Sequence, residues 1–437
     1  MSKPFIIVST ADWDNPFWTN KQHIADRLAG RGHQVLYLNS LGLRKPSSNG
    51  KDMKRILKRL SQFFSGLQHK KTNLWVWSPI VIPYQRFSFV RKLNFFIVRQ
   101  YVKHFARRLG MEDYVLWTYN PLTQPLLNMR EQLSVYHCVD EISAQPGMPE
   151  QIIKEQEARL VAEVDVVFAT APNLYETRRA INESTYYSPN VAEFNHFNKA
   201  LSPDTDIPTE LLQMKGPKVG FIGAISGYKL DLALIEKVAS RNPHVHFVFI
   251  GQVGEGDPWT DADRLGQTPN IHLIGPKPYG ELPGYLKGFD ACLLPNVINE
   301  YTTNMFPMKF FEYLSAGKPV VMTPLPAVRD YYSYCYVAAD AAAFDKQLGL
   351  ALNERLLGNY EQLIMDRVAE AKKHDWESRM DTMLAVVEAH IKGAGTPEAL
   401  RTAGLPEASA LSATATPRSS KTSGKTSKAA QSVGSKV

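Results

Sequence analysis

Cysteine is scarce in this chain: Cys138, Cys292 and Cys335 are three among 437 residues, scattered in or beside apolar runs with no C-x-x-C spacing. That argues against a disulfide framework or a structural zinc site and points to a reducing cytoplasm. Long apolar runs are missing as well. No stretch has the uninterrupted length a membrane-spanning helix needs, and Met1-Ser2-Lys3-Pro4 leads straight into a strand-like run, so the expectation is a chain neither exported nor membrane-spanning. No group of His, Cys, Asp and Glu shows metal-ligand spacing, no repeat with a period of roughly 20–50 residues is visible, and no recognised nucleic-acid module is present. Charge of one sign is not in large excess either: 50 Lys and Arg against 43 Asp and Glu give +7, so any strong field has to come from local clustering.

What is there is enough for two cores. The chain is too long for one, and 44% of it is hydrophobic. Phe5–Ser9, an aromatic loop containing Asp12 and Asp14, a helical stretch to Gly30, and the turn and strand Gly32–Leu38 form a βαβ opening. Strand-like runs follow at Leu74–Trp77, Tyr114–Thr118, Ser134–Cys138 and Val164–Ala169. The same rhythm restarts at Lys218–Ile222, His244–Ile250, Ile271–Ile274, Ala291–Leu294 and Pro319–Met322, with helical patterns such as Leu230–Ser240 and Leu282–Gly288 between them. This is the pattern of two doubly wound α/β sheets. The expected division is a first Rossmann-like domain at 1–196, a linker at 197–216, a second Rossmann-like domain at 217–358, C-terminal helices at 359–392 anchored by Trp376 and Met380, and a tail at 393–437. That tail has too few large apolar residues to offset its ordering entropy and is expected to be disordered.

The densest chemical signal runs from Asn304 to Val321. Pro307 suits a first helical position, Met308 to Ala316 are compatible with a helix, Gly317 can take the left-handed position after it, and Pro319 blocks continuation. Lys309 is out of place electrostatically, a cation in a first turn whose dipole repels it by a few tenths of a kcal/mol. A bound anion would reverse that sign. Backbone N–H groups, the helix end and Lys309 together suggest a phosphate cradle, with Glu312 on the same face to accept hydroxyl hydrogen bonds. The competing reading is an ordinary Lys309–Glu312 pair on a surface helix.

Pro307-Met308-Lys309-Phe310-Phe311-Glu312-Tyr313-Leu314-Ser315-Ala316-Gly317-Lys318-Pro319-Val320-Val321 resembles the second-domain signature of GT-B glycosyltransferases, in particular the retaining polysaccharide and teichuronic-acid-type sugar transferases (glycosyltransferase family 4, family 1-like). Supporting matches are Gly32–Val35, Val135–Glu141, Ser188–Asn190, Val219–Gly223 and Ile271–Pro278, so the resemblance spans about residues 1–390. It implies transfer of a sugar from a nucleotide-diphosphate donor in the second domain to an acceptor in the first, with no D-x-D-held metal and no other cofactor. Members usually carry two glutamates eight positions apart. Here Glu312 matches the second, expected on the ribose, and Asn304 stands at the first. An Arg and a Lys of the family fall on Ala224 and Lys229, so one phosphate-neutralising charge is missing and Lys309 is the candidate replacement.

Breaking a bond from an anomeric carbon to a diphosphate calls for neutralising the leaving phosphate, and no protein nucleophile is needed when that is done well. Gly223, Lys229, Lys309 and the backbone of Met305, Phe306 and Pro307 are the candidates. His137 and Asp140, at the end of a strand, are candidate sugar-contacting groups, the competing reading for His137 being a core histidine. Asp12 and Asp14 are candidates for orienting or deprotonating an acceptor hydroxyl, or else are helix-entry turn residues.

Two basic runs complete the picture. Arg44–Lys71 holds nine Lys or Arg and one acid, Asp52; Arg86–Arg108 holds seven cations and no acid, interleaved with Phe87, Phe89, Leu93, Phe95 and Phe96. Such runs suit an anionic membrane face. The first looks the more membrane-like, and the second has apolar content enough for a core. The combined expectation is a cytoplasmic, peripheral GT-B glycosyltransferase acting on a lipid-linked or polysaccharide acceptor in surface glycan synthesis, without nucleic acid. A non-catalytic nucleotide-sugar-binding scaffold and a nucleotide-sugar epimerase on the same fold remain alternatives.

Overall fold

The computed structural model describes residues 3–15, 18–42, 61, 63–82, 87–254, 257 and 260–393. Most of the first basic run and nearly all of the tail lie outside the described residues. Two sheets organise the rest. The first holds β1 (Phe5–Val8), β2 (Val35–Leu38), β3 (Gln68–Lys71), β4 (Leu74–Trp77), β5 (Val115–Thr118), β6 (Leu133–Cys138), β7 (Val166–Ala169) and β8 (Thr185–Tyr187), in the order β3-β4-β2-β1-β5-β6-β7-β8. All neighbours are parallel except β3 with β4. The second holds β9 (Lys218–Ile222), β10 (His246–Ile250), β11 (Ile271–Gly275), β12 (Ala291–Leu294), β13 (Val320–Met322) and β14 (Tyr336–Val337), all parallel in the order β11-β10-β9-β12-β13-β14.

Runs such as Phe5–Val8 and Val35–Leu38 are apolar throughout because helices cover both faces of a parallel sheet, and every residue of both is buried. In each sheet the strand order reverses next to the first strand, between β1 and β5 and between β9 and β12. Loops leaving those two carboxyl ends diverge, and in open sheets a ligand crevice opens there.

Three strands were not legible in advance. β3 is Gln-His-Lys-Lys, β14 has two residues and β8 three, too short or polar for a periodic signal. The stretch read as a linker is instead folded against the second lobe: it forms short helices at Asn198–Leu201 and Thr209–Leu212, and Lys287 Nζ donates to the carbonyls of Ser202 and Thr205, both at 2.8 Å. After the second sheet the chain returns. The helix Trp376–Ile391 buries Trp376, Met380, Met383, Val386 and Val387 in the core of the first lobe, and Arg31 ties it down through Glu377 at 2.7 Å and Asp381 at 2.5 Å.

The second basic run also departs from expectation. In the helix Ser88–Arg108, Val90, Phe95, Val98, Val102 and Phe105 are core, but Phe89 is 71% exposed and Phe96 59%. Its apolar content is divided between two faces rather than gathered on one.

Candidate active site

The Pro307 stretch folds close to its sequence reading, with its start displaced. The helix is Lys309–Ser315, preceded by Met308, so Pro307 lies before it, its carbonyl accepting from the Phe310 N–H at 3.1 Å. Gly317 has φ +67 and ends the helix in the left-handed conformation expected of it. The Tyr313 hydroxyl accepts from the Ile222 N–H at 2.8 Å, fixing the helix beneath the end of β9, and Phe311 stacks on His374 with ring centroids 4.2 Å apart.

Lys309 Nζ donates to Glu312 Oε2 at 2.7 Å. Glu312 is buried, and burial raises its carboxyl pKa while Lys309 draws it back. Near it, Glu193 of the first lobe accepts from Arg27 Nη2 at 3.0 Å and from the Tyr279 hydroxyl at 2.5 Å. Burial alone would raise the Glu193 pKa, but hydrogen bonds from Tyr279 and Arg27 and the nearby His23 outweigh it, and the group stays low.

The segment before this helix is where the lobes touch. The Asn173 side chain donates to Asn304 Oδ1 at 2.6 Å, and Asn304 Nδ2 donates to the Glu300 carbonyl at 2.7 Å. Asn190 Nδ2 donates to the Phe306 carbonyl at 2.6 Å, and Asn20 Nδ2 in turn donates to Asn190 Oδ1 at 2.7 Å. Met305 lies between these contacts, its N–H directed at the Thr302 carbonyl.

The loop after β9 carries Gly223 and Lys229. A Cβ on Gly251, which has φ +149, would sit 1.9 Å from the Gly223 carbonyl oxygen, so glycine there lets the ends of β9 and β10 lie against each other. Residues after β12 then hold the loop: Asn296 Nδ2 donates to the Lys229 carbonyl at 3.0 Å and Asn299 Nδ2 to the Tyr228 carbonyl at 2.9 Å. Lys229 Nζ lies 5.3 Å from the Tyr228 ring centroid and 5.5 Å from that of Tyr301.

Across the gap from Lys229 stands a residue the sequence reading missed. Lys21, in the first turn of the helix Asn20–Gly30, is buried with its ammonium 5.7 Å from the Tyr119 ring centroid. Desolvation lowers its pKa most; Asp140 raises it and Lys229 lowers it further. Asp140 accepts from the Tyr301 hydroxyl at 3.1 Å, so Lys21 and Asp140 of the first lobe meet Lys229 and Tyr301 of the second. Only contacts between segments distant in sequence identify Lys21; nothing local in Thr19-Asn20-Lys21-Gln22 marks it.

The other first-lobe candidates are placed differently from this cluster. His137 lies beneath the strand end, 2% exposed, with the rings of Trp117, Tyr119 and Phe168 around it and neither ring nitrogen hydrogen-bonded to a described residue. Burial, then Lys21 and Arg379, drive its pKa well down, so it is a neutral imidazole. Asp12 Oδ1 accepts from the Ser40 N–H at 3.2 Å, and Asp14 is exposed and paired with Lys70 at 3.0 Å. Both carboxylates thus have partners within the first lobe. Among the described residues no group of His, Cys, Asp and Glu is arranged to hold a metal ion, and no helix is long and apolar enough to cross a membrane.

Two parallel Rossmann-like sheets whose switch-point loops meet across one gap make the GT-B architecture. Comparison with known proteins agrees. Residues 216–354 match the family model described as "Glycosyl transferases group 1". The chain is 32% identical over 213 residues to the putative teichuronic acid biosynthesis glycosyltransferase TuaH of Bacillus subtilis (strain 168), a match covering 46% of this chain and 52% of that protein. The chain thus spans about half the length of that curated relative. Among solved structures, sucrose-phosphate synthase from Thermosynechococcus elongatus superposes with a TM-score of 0.65 at 13% identity, covering 90% of this chain and 100% of that one. Anabaena Alr3699/HepE in complex with UDP and glucose superposes with a TM-score of 0.59 at 13% identity, covering 89% and 99%. At such identities the structural likeness speaks for the fold. The chain thus has the GT-B fold, and its second lobe, residues 216–354, is similar to the group 1 glycosyl transferases.

Proposed function

We propose that the chain transfers a sugar from a nucleotide-diphosphate donor to a lipid-linked or polysaccharide acceptor in surface glycan synthesis, with retention at the anomeric carbon and without a metal, at the cytoplasmic face of a membrane. The observation that carries the donor half is the approach of Lys21 and Lys229 from opposite lobes. A buried ammonium, Lys21, whose pKa desolvation lowers, with Asp140 and the Lys229 ammonium beside it, forms a site completed by an anion. A diphosphate supplies that charge, and UDP is bound by the HepE neighbour.

In this reading Glu312 accepts hydrogen bonds from the ribose hydroxyls, with Lys309 setting its charge. Gly223 and the backbone of Met305, Phe306 and Pro307 line the pyrophosphate, and Asn304 meets the sugar hydroxyls. As the bond from the anomeric carbon to the diphosphate oxygen breaks, Lys21 and Lys229 stabilise the charge left on that oxygen. The acceptor oxygen bonds to the anomeric carbon, and its proton passes to the departing diphosphate. Asp140 orients the acceptor hydroxyl, His137 supports the strand end from below, and Asp12 and Asp14 shape the acceptor-side loop. The teichuronic-acid assignment of the TuaH relative favours an anionic surface polymer as the acceptor class.

Turnover of a nucleotide-sugar panel, with and without lipid-linked acceptor, tests this. Acceptor-dependent release of nucleoside diphosphate with a new glycoside supports it. Donor binding with no release in any combination contradicts it and marks a scaffold, while isomerised donor without acceptor marks an epimerase.

A further inference from the structure

The helix Ser88–Arg108 has two faces of different kinds. Inward it buries Val90, Phe95, Val98, Val102 and Phe105. Outward, at helical spacing, stand Phe89 at 71% exposure, Leu93 at 44% and Phe96 at 59%, with Lys92 and Arg107 exposed on the same side. No acid occurs anywhere in its 21 residues. A buried apolar face accounts for the fold; it does not account for three large apolar side chains on the water side, which a soluble surface helix would replace with polar residues.

We propose that this outward face docks on an anionic lipid bilayer, Phe89, Leu93 and Phe96 entering the interface and Lys92 and Arg107 meeting the headgroup charge. Charge complementarity selects this occupant: every charged residue of the helix is a cation, and cations beside exposed apolar residues are the combination that binds an anionic interface. The helix is not apolar enough to span, so it lies along the surface. It belongs to the first lobe, the side to which the proposed reaction assigns the acceptor, so docking brings that lobe to a lipid-linked acceptor. The inference rests on the peripheral-membrane part of the function proposed above and is independent of its donor chemistry. It also places the contact on this helix rather than on the basic run Arg44–Lys71.

The test is co-sedimentation of the full chain with phosphatidylcholine vesicles containing or lacking phosphatidylglycerol. The wild type is expected to bind the anionic vesicles. The triple variant Phe89→Ser/Leu93→Ser/Phe96→Ser is expected to lose binding at least about tenfold, with unchanged melting temperature and unchanged turnover of a soluble donor. Lys92→Glu/Arg107→Glu should remove most of the preference for phosphatidylglycerol. Wild-type binding by the triple variant overturns the inference while leaving the peripheral reading to another surface. Failure of the wild type to bind either vesicle overturns both, with soluble-donor turnover still reporting on the transferase reading. A wild-type dimer in sedimentation that the triple variant converts to monomer overturns it in favour of a second copy of the chain.

Discussion

The two sides of the inter-lobe gap are built in opposite ways. On the second lobe, Asn304 to Glu312 is one continuous stretch in which Lys309 and Glu312 already neutralise each other at 2.7 Å. On the first lobe, Lys21 and Asp140 come from segments far apart in sequence, and Lys21 is buried with a ring beneath it rather than a carboxylate hydrogen-bonded to it. The second-lobe pair is matched as it stands, whereas the first-lobe cluster carries a buried ammonium whose desolvation Asp140 only partly offsets. A core selected for stability alone would not retain a desolvated ammonium, which makes this cluster the candidate to test for function.

The sharpest way to break this contrast is substitution on each side. Lys21→Met keeps the apolar stem and removes the charge, so turnover should fall about a hundredfold, the scale of losing one charge-stabilising group, while stability stays level or rises. A melting temperature that falls in step with activity would reduce Lys21 to packing. Lys309→Ala should do the reverse on the other side. It strands the buried Glu312 carboxylate, costing about 2 kcal/mol of stability, less than a fully buried pair because Lys309 is partly exposed. The mutant should also respond less to donor. Equal donor response and turnover would remove Lys309 from the site.

A smaller effect comes from the contacts that join the two sides. Tyr301→Phe deletes the hydroxyl that donates to Asp140 across the gap, an expected loss of about 1 kcal/mol seen as a lower urea midpoint and a modest fall in kcat. An unchanged midpoint would show that the lobes do not depend on that contact.

The smallest is a pH effect near the same junction. His23, stacked on Trp376 with centroids 5.0 Å apart, has its pKa lowered to about 4, chiefly by burial and against the pull of Glu193. With the folded value below the ordinary 6.5, the unfolded chain binds the proton first, so the neutral-histidine contribution is complete above pH 6.5 and is lost as pH falls from 6.5 towards 4. His137 shifts in the same direction. Melting temperature measured across that window should decline, and His23→Phe should flatten part of the slope. An identical slope would assign the acid sensitivity to other groups.

The same contrast explains what could be read from the sequence. β1, β2, β4, β10, β12 and β13 announce themselves because burial on both faces demands unbroken apolar runs. The Lys309–Ser315 helix was visible because its punctuation, Pro307 before and Gly317 after, is local. β3 and β14 are strands only because a neighbour pairs with them. Lys21 escaped notice for a related reason: a lysine becomes unusual only through what surrounds it, here Tyr119, Asp140 and Lys229 from three other segments. His137 illustrates the converse, a residue placed correctly at its strand end whose side chain the fold encloses in rings. Phe89, Leu93 and Phe96 could not be told from core phenylalanines and leucines by period alone, since the same helix carries both.

The central claim is that a nucleoside diphosphate completes the gap between the lobes. Its most direct test is the melting temperature of the wild type and of Lys21→Met, Lys229→Met and Glu312→Ala with each common nucleoside diphosphate. A ligand at about a hundredfold excess over its Kd adds about 2.7 kcal/mol to a protein that binds it only when folded. One nucleoside diphosphate is expected to raise the wild-type melting temperature, with the rise reduced in all three variants. No rise with any of them, or an equal rise in the variants, would contradict the account.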